Sequence, residues 1–170
     1  MFLQTNDIII PLKLTLKTLK IGLIKNITID IQEINKLTGK IEIKQITKTI
    51  KIEKGMKNDE KFIFENEGNE EIGKLRGNLI IQLEIISKEG FIRNNENLIL
   101  YYKITKEEMK NGFLCSFRNY DGEKLFKQIE KNSIHFNNFD DRIIFYGKGL
   151  PLFNNNTAFG DVIVIFYEGK

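Results

Sequence analysis

Cysteine, histidine, arginine and proline are all scarce in this chain, and each scarcity closes off a class of function. A single cysteine, Cys115, excludes an internal disulfide and a cysteine-based zinc cluster. It also suits a reducing, intracellular compartment, so a cytoplasmic location is expected. Only one histidine, His135, is present, which leaves little for catalysis by nucleophile and base. Only four of the 26 basic residues are arginine: Arg76, Arg93, Arg118 and Arg142. Nucleic-acid sites favour the planar arginine fork, whereas lysine dispersed through Ile/Lys/Asn-rich text reads as solvated surface. With a net charge of only +3, no nucleic-acid partner is expected. No apolar run approaches the roughly 20 residues that span a bilayer, and the first residues lack the pattern of a signal peptide, so no membrane partner is expected either.

Catalytic and metal motifs are equally thin. Cys115 and His135 flank a hairpin-like stretch, but Cys115 alternates with Phe113 and Phe117 and reads as core. His135 lies between Ile134 and Phe136 and reads as an exposed strand residue. Adjacent acids in a strand point to opposite faces, so Asp140 and Asp141 read as the end of a turn rather than a metal pair. Gly147-x-Gly149 is not followed by the helix that a dinucleotide fingerprint requires, and there is no P-loop. No enzyme activity, catalytic residue, metal ligand or cofactor is expected.

What the chain does have is period-two alternation. Ile8, Ile10, Leu12 and Leu14 share one face of an extended segment. So do Ile27, Ile29 and Ile31, then Leu79, Ile81, Leu83 and Ile85, then Phe113, Cys115 and Phe117, and finally Val162, Val164 and Phe166. Such alternation buries one strand face and wets the other. Ile163, Ile165 and Tyr167 make the second face of the last strand apolar too, which predicts a central or doubly covered strand. Helix signals are limited to Leu16, Leu19 and Leu23 at near-helical spacing, and to Thr105-Lys-Glu-Glu, a capping pattern that Gly112 closes. Pro11 and Pro151 fall where a strand starts or turns. Asn137-Asn138 and Asn154–Thr157 read as loops.

The elements also recur. Leu14–Gly22 is echoed by Ile104–Gly112; Phe64–Gly68, followed by Gly77-Asn, is echoed by Phe145–Gly149, followed by Gly160-Asp. A spacing of about 80–90 residues is too long for a solenoid and suits two copies of one small β domain. The expectation is a mainly β chain of two tandem β-sandwich-like domains of related topology, each with one short helix. The first covers residues 1–86, an interdomain connection residues 87–97, and the second domain residues 98–170.

Several segments, in order, resemble the C-terminal substrate-binding region of the DnaJ family of co-chaperones (heat-shock protein 40 type). Ile10–Gly22 looks like that family's opening strand and helix. Thr49–Met56 is similar to its I-x-I-x-P-G-V segment, with Lys54 where proline is usual. Gly77-Asn-Leu79 and Gly160-Asp-Val162 resemble its G-D-L turns. Phe91-Ile-Arg93 with Asn97-Leu98 resembles F-x-R-x-G-x-D-L, with Asn97 in place of Asp, and the two departures imply looser turns. Asp121-Gly122 and Gly147–Pro151 complete the series. The family's cysteine-rich zinc module is missing, which resembles the zinc-free members. There is no His-Pro-Asp loop, so stimulation of ATP hydrolysis is not implied for this chain. The dimerisation helix that usually ends family members is expected to be absent, since the last strand reaches Tyr167 and the chain stops at Lys170.

The resemblance implies binding of unfolded or extended polypeptide by strand addition along Lys25–Ile31, beside a shallow apolar groove of the first domain. The positions that match the groove are Ile10, Leu12, Lys25, Ile27, Ile29 and Phe91. The implied partners are unfolded clients and a DnaK-type chaperone, whose acidic C-terminal tail Lys25 would pair with. Alternation alone fits Ile27 and Ile29 to core as well as to groove, Lys25 to plain solvated surface, and Phe91 to a wedge between domains. A tandem β-sandwich used only for assembly, without chaperone activity, remains the alternative reading.

Overall fold

A computed structural model describes residues 3–135, 141–153 and 155–169. The alternating segments become β1 (Ile8–Thr15), β2 (Leu23–Ile34), β3 (Ile41–Ile52), β4 (Lys61–Phe64) and β5 (Leu79–Ile86), with helix α1 (Leu16–Ile21) between β1 and β2. After them come β6 (Ile92–Asn94), β7 (Asn97–Ile104), α2 (Lys106–Asn111), β8 (Phe113–Arg118), β9 (Lys124–Ile129), β10 (Arg142–Phe145), β11 (Pro151–Leu152), β12 (Asn155–Phe159) and β13 (Val162–Glu168). The chain is mainly β with two short helices, as its alternation predicts.

These elements divide into two units. One holds the residues up to Leu14, Gly22–Ile52 and Met56–Ile85; the other holds Thr15–Ile21, Glu53–Gly55 and the chain from Ile86 onward. In the first unit, a three-stranded sheet of order β1-β5-β4 accompanies the β2–β3 hairpin. Leu79, Ile81 and Leu83 of the central strand are fully buried, as alternation along β5 requires. Leu12 and Leu14 from β1, and Ile29, Ile31, Ile50 and Ile52 from the hairpin, complete this core. Pro11 sits within β1, an edge strand, where its missing N–H breaks no ladder.

The second unit has a four-stranded sheet of order β10-β13-β7-β6 and the hairpins β8–β9 and β11–β12. β13 runs parallel to β7, with Val162 opposite Leu98, and antiparallel to β10. Val162, Val164 and Phe166 are buried, and Ile163 and Ile165 are half-buried, so both faces of this central strand are covered. Aromatic rings fill the interior at edge-to-face geometry: Phe113 on Phe166 at 5.5 Å and Phe117 on Phe145 at 5.5 Å.

Helix α2 carries the capping box that its sequence announces. Thr105 Oγ1 accepts from Glu108 N at 3.1 Å, and Glu108 Oε2 accepts from Thr105 N at 2.8 Å. Helix α1 follows β1 in sequence but belongs to the second unit, where Leu16 and Leu19 are buried. There Leu19 O accepts from Gly55 N at 3.0 Å, and Lys20 pairs with Asp121 and lies over the Tyr120 ring at 5.9 Å.

The internal echo is a repeated set of hydrogen bonds. Gly68 N donates to Gly77 O at 2.8 Å, and Gly149 N donates to Gly160 O at 2.8 Å. Asn78 Oδ1 accepts from Asn66 N at 2.9 Å, as Asp161 Oδ1 does from Gly147 N at 2.8 Å. Asp7 Oδ1 accepts from Asn78 N and Asn97 Oδ1 from Asp161 N, both at 2.8 Å. Asn97 therefore makes the bond that its counterpart Asp7 makes, and the turn is not loosened by the amide.

Two local expectations give way. Asn155–Thr157 is strand, not loop, because pairing with β11 overrides the weak β preference of asparagine. His135 is exposed but lies in no strand. Strand β6 pairs with β7 in the sheet of the second unit, with Ile92 opposite Ile99. Asn137, Asn138, Asp140 and Asn154 lie outside the described residues.

Two glycines are required for different reasons. A Cβ on Gly160 would stand 2.3 Å from Glu96 O, so backbone would have to move. Gly39 has open space around it but a φ of +69°. Gly39→Ala should cost about 1 kcal/mol of stability for its torsion alone. Gly160→Ala should cost clearly more, as read from urea unfolding midpoints of the two variants.

Candidate functional site

In a strand, the N–H and C=O of one residue point to the same edge, and successive residues alternate. Gln32 shows which residues of β2 face which way. Its N–H donates to Asn69 Oδ1 at 2.8 Å and its C=O accepts from Glu70 N at 2.9 Å, both away from β3. Asn35, three residues on, turns inward and donates to Lys40 O across the hairpin. The odd residues Leu23 to Glu33 thus bond to β3, opposite Ile52 to Glu42. The even residues Asn26, Thr28 and Asp30 aim their backbone groups at the outer edge, and β2 has no strand on that side among the described residues.

Side chains follow the same parity. Lys25, Ile27, Ile29 and Ile31 share the inward face: Lys25 is exposed, Ile27 half-buried, Ile29 only 7 % exposed and Ile31 buried. On the opposite face, polar pairs tie β2 to β3: Asn26 with Thr49 at 2.7 Å, Thr28 with Thr47 at 3.1 Å and Asp30 with Gln45 at 3.0 Å. From β1, Ile10 is half-buried and Leu12 is 6 % exposed. The accessible apolar surface among the matched positions is therefore Ile10 and Ile27, while Leu12 and Ile29 are core. Phe91 belongs to the second unit, is 4 % exposed, and packs edge-to-face on Phe117 at 6.2 Å.

Charge gathers at the far end of β2. Arg76 reaches Glu70 at 3.4 Å and Glu33 at 3.7 Å, and its Nε donates to Gly68 O at 2.9 Å. The Lys44 hydrogen bond to Glu33, ahead of the charge of Arg76, holds that carboxyl below the usual carboxylate range. Lys48 pairs with Glu67 and lies 4.7 Å from the Phe64 ring centre. Lys25 has no ion-pair partner among the described residues.

Cys115 and His135 form no catalytic pair among the described residues. Burial leaves Cys115 with no exposed surface and pushes its thiol up to about 12, whereas His135 is exposed with Asp141 3.9 Å away. Among the described residues, no three His, Cys, Asp or Glu side chains converge as a metal would require.

Residues 8–167 match the family pattern described as DnaJ C terminal domain. The chain belongs to this family. Human DnaJ homolog subfamily A member 2 is 28 % identical over 134 residues, which is 72 % of this chain and 31 % of that protein. Drosophila melanogaster DnaJ homolog shv is 28 % identical over 120 residues, covering 71 % of the chain and 33 % of the relative. The mouse DnaJ homolog subfamily A member 4 is 28 % identical over 117 residues. The chain spans about a third of the length of these relatives. As a DnaJ C-terminal domain, it closes the β2–β3 hairpin with residues 35–40, which contain no cysteine. Asn35 Oδ1 accepts from Leu37 N and Thr38 N there, a side-chain-made turn.

The sequence locates the β2 strand and the face that Ile27, Ile29 and Ile31 share, but not which backbone groups face the open edge, nor Asn69, Glu70 and Arg76. The outward groups belong to the polar even residues that alternation sets aside as solvent-facing. Asn69 and Glu70 carry no pattern of their own beyond following Gly68.

The buried thiol makes a pH prediction. An unfolded Cys115 ionises near its ordinary value of 9.0 and the folded one near about 12, so the folded state is disfavoured as pH climbs between them. Burial, then Asp121 and Glu123, shifts Tyr120 in the same direction. Urea midpoints should hold up to about pH 9 and fall above it, with a shallower fall for Cys115→Ala. A thiol reagent at pH 8 should label Cys115 only after unfolding.

Proposed function

We propose that this chain is the polypeptide-binding part of a protein-folding co-chaperone. It takes unfolded or extended segments by strand addition at the outer edge of β2. The observation that carries the reading is the outward backbone of Asn26, Thr28 and Asp30, which faces no strand among the described residues. An open edge pairs with a guest through main-chain hydrogen bonds, which every sequence except proline can make. Tolerance of sequence is what a binder of unfolded chains requires. The ladder to β3 and the three polar cross-strand pairs keep the edge extended before a guest arrives, which lowers the ordering cost of binding.

Ile10 and Ile27, both half-buried, offer apolar surface to guest side chains, and Leu12 and Ile29 support them from beneath. Phe91 joins this reading as a brace within the second unit. Lys25 takes an acidic guest, such as the carboxylate-rich C-terminal tail of a DnaK-type chaperone. A cytoplasmic location and a division into residues 1–86 and 98–170 joined by 87–97 are part of the same proposal. A role in assembly alone would predict a folded chain that does not slow aggregation of an unfolded model protein at molar excess.

Two measurements test the edge. Thr28→Pro removes an outward N–H and the side-chain bond to Thr47 while leaving the backbone bonds to β3 in place. Affinity for an extended peptide should fall about fivefold, the value of one hydrogen bond. Unchanged affinity in a folded Thr28→Pro chain would sink strand addition. For Lys25, binding of an acidic peptide should weaken as salt is raised, and Lys25→Ala should flatten that dependence.

A further inference from the structure

The open edge of β2 does not run the whole length of the strand. At Gln32 both outward backbone groups are already taken, by the side-chain oxygen of Asn69 and the backbone N–H of Glu70, at 2.8 Å and 2.9 Å. Two residues further, Glu70 Oε2 accepts from Ile34 N at 2.7 Å. These three bonds imitate a neighbouring strand where a guest would otherwise continue. The imitation is braced: Arg76 contacts the other oxygen of Glu70 at 3.4 Å and Gly68 O at 2.9 Å. Asn69 O accepts from Gly77 N at 3.1 Å, and Gly68 N is bonded to Gly77 O.

We propose that Asn69 and Glu70 form an end-stop that limits how far an extended guest reaches along β2 and so sets its register. The inference rests on strand addition at this edge. A guest passing Asp30 must displace three hydrogen bonds, two of them to a carboxylate or amide held from behind. From Asn26 to Asp30 the open edge is about 13 Å of strand at about 3.3 Å per residue, and the outward backbone of Ile24 continues it at the end away from the stop. The Asn26–Asp30 stretch pairs with about five guest residues. Register matters because a slip of one residue exchanges the guest side chains that face Ile27 with those that face solvent. A terminus abutting Asn69 removes that freedom, and the binder selects short extended segments with alternate apolar residues.

The test is amide hydrogen exchange on the full chain, free and with a nine-residue peptide of alternating apolar and polar residues. In the unaltered chain, the peptide should slow Asn26, Thr28 and Asp30, while Gln32 and Ile34 are slow already and do not change. In Asn69→Ala/Glu70→Ala, Gln32 and Ile34 should exchange faster when free and become peptide-protected, and extending a five-residue peptide to nine should gain about fivefold in affinity for each added bond. Glu70→Gln keeps a side-chain oxygen acceptor and should behave like the unaltered chain at Ile34. If the peptide protects Asn26 to Asp30 but the footprint stays the same in the double variant, the end-stop is wrong and strand addition stands. If those amides show no protection in the unaltered chain, both fail. Should the double variant lose the slow inward amides of Ile27 and Ile29, Asn69→Ala alone decides: it frees only the Gln32 N–H, and no extension to Gln32 overturns the proposal.

Discussion

The ladder between β2 and β3 is the constraint on which the candidate site depends. Twelve consecutive residues of β2 are in register with β3, and this commits the backbone of every odd residue inward. Once that is settled, little else is free to vary. The odd side chains must be apolar enough to close the first unit, so Ile29 and Ile31 are buried there. The even residues Asn26, Thr28 and Asp30 are left with polar side chains on one face and backbone that faces no strand on one edge among the described residues. The edge proposed to bind a guest thus arises as the remainder of a folding requirement, and no residue has to be dedicated to it.

The two units share a turn and differ in their hairpins. In both, a glycine N–H is clamped to a glycine C=O and an Asn or Asp side chain receives a backbone N–H, with nearly equal distances. That clamp closes the connection from β4 to β5 in one unit and from β10 to β13 in the other. The hairpin of the second unit, β8–β9, pairs only six residues of each strand against the twelve of β2–β3. It carries Phe113, Cys115 and Phe117 where the first carries Ile27, Ile29 and Ile31, so its inward face is turned to filling an aromatic core. The repeat supplies a shared frame, and the longer hairpin is the difference between the copies on which the proposed function rests.

Much of this was legible in the residues. Alternation located β1, β2, β5, β8 and β13, and the Thr105–Glu108 pattern marked a helix start that the structure forms in full. The doubled glycine signals marked turns that prove to be hydrogen-bonded alike. What escaped was long-range. Alternation says that Ile27 and Ile29 face inward but not how deeply, because burial depends on what other elements bring. Asn155–Thr157 looked like a loop because asparagine disfavours strands, and pairing with Pro151-Leu152 reversed that preference. Phe91 matched a groove position by motif, yet its ring is held by Phe117, a partner 26 residues away that no local pattern names.

The placement of α1 has a consequence for the order of events during synthesis. Thr15–Ile21 leaves the ribosome ahead of most of its own unit, because the unit that holds Leu16 and Leu19 consists mainly of residues after Ile86. Those two leucines therefore wait, exposed, while some 65 residues or more are added, at about 5–20 residues per second. During that interval the nascent chain carries a short apolar stretch that its own first unit does not cover, and for those seconds it resembles the unfolded segments it is proposed to bind.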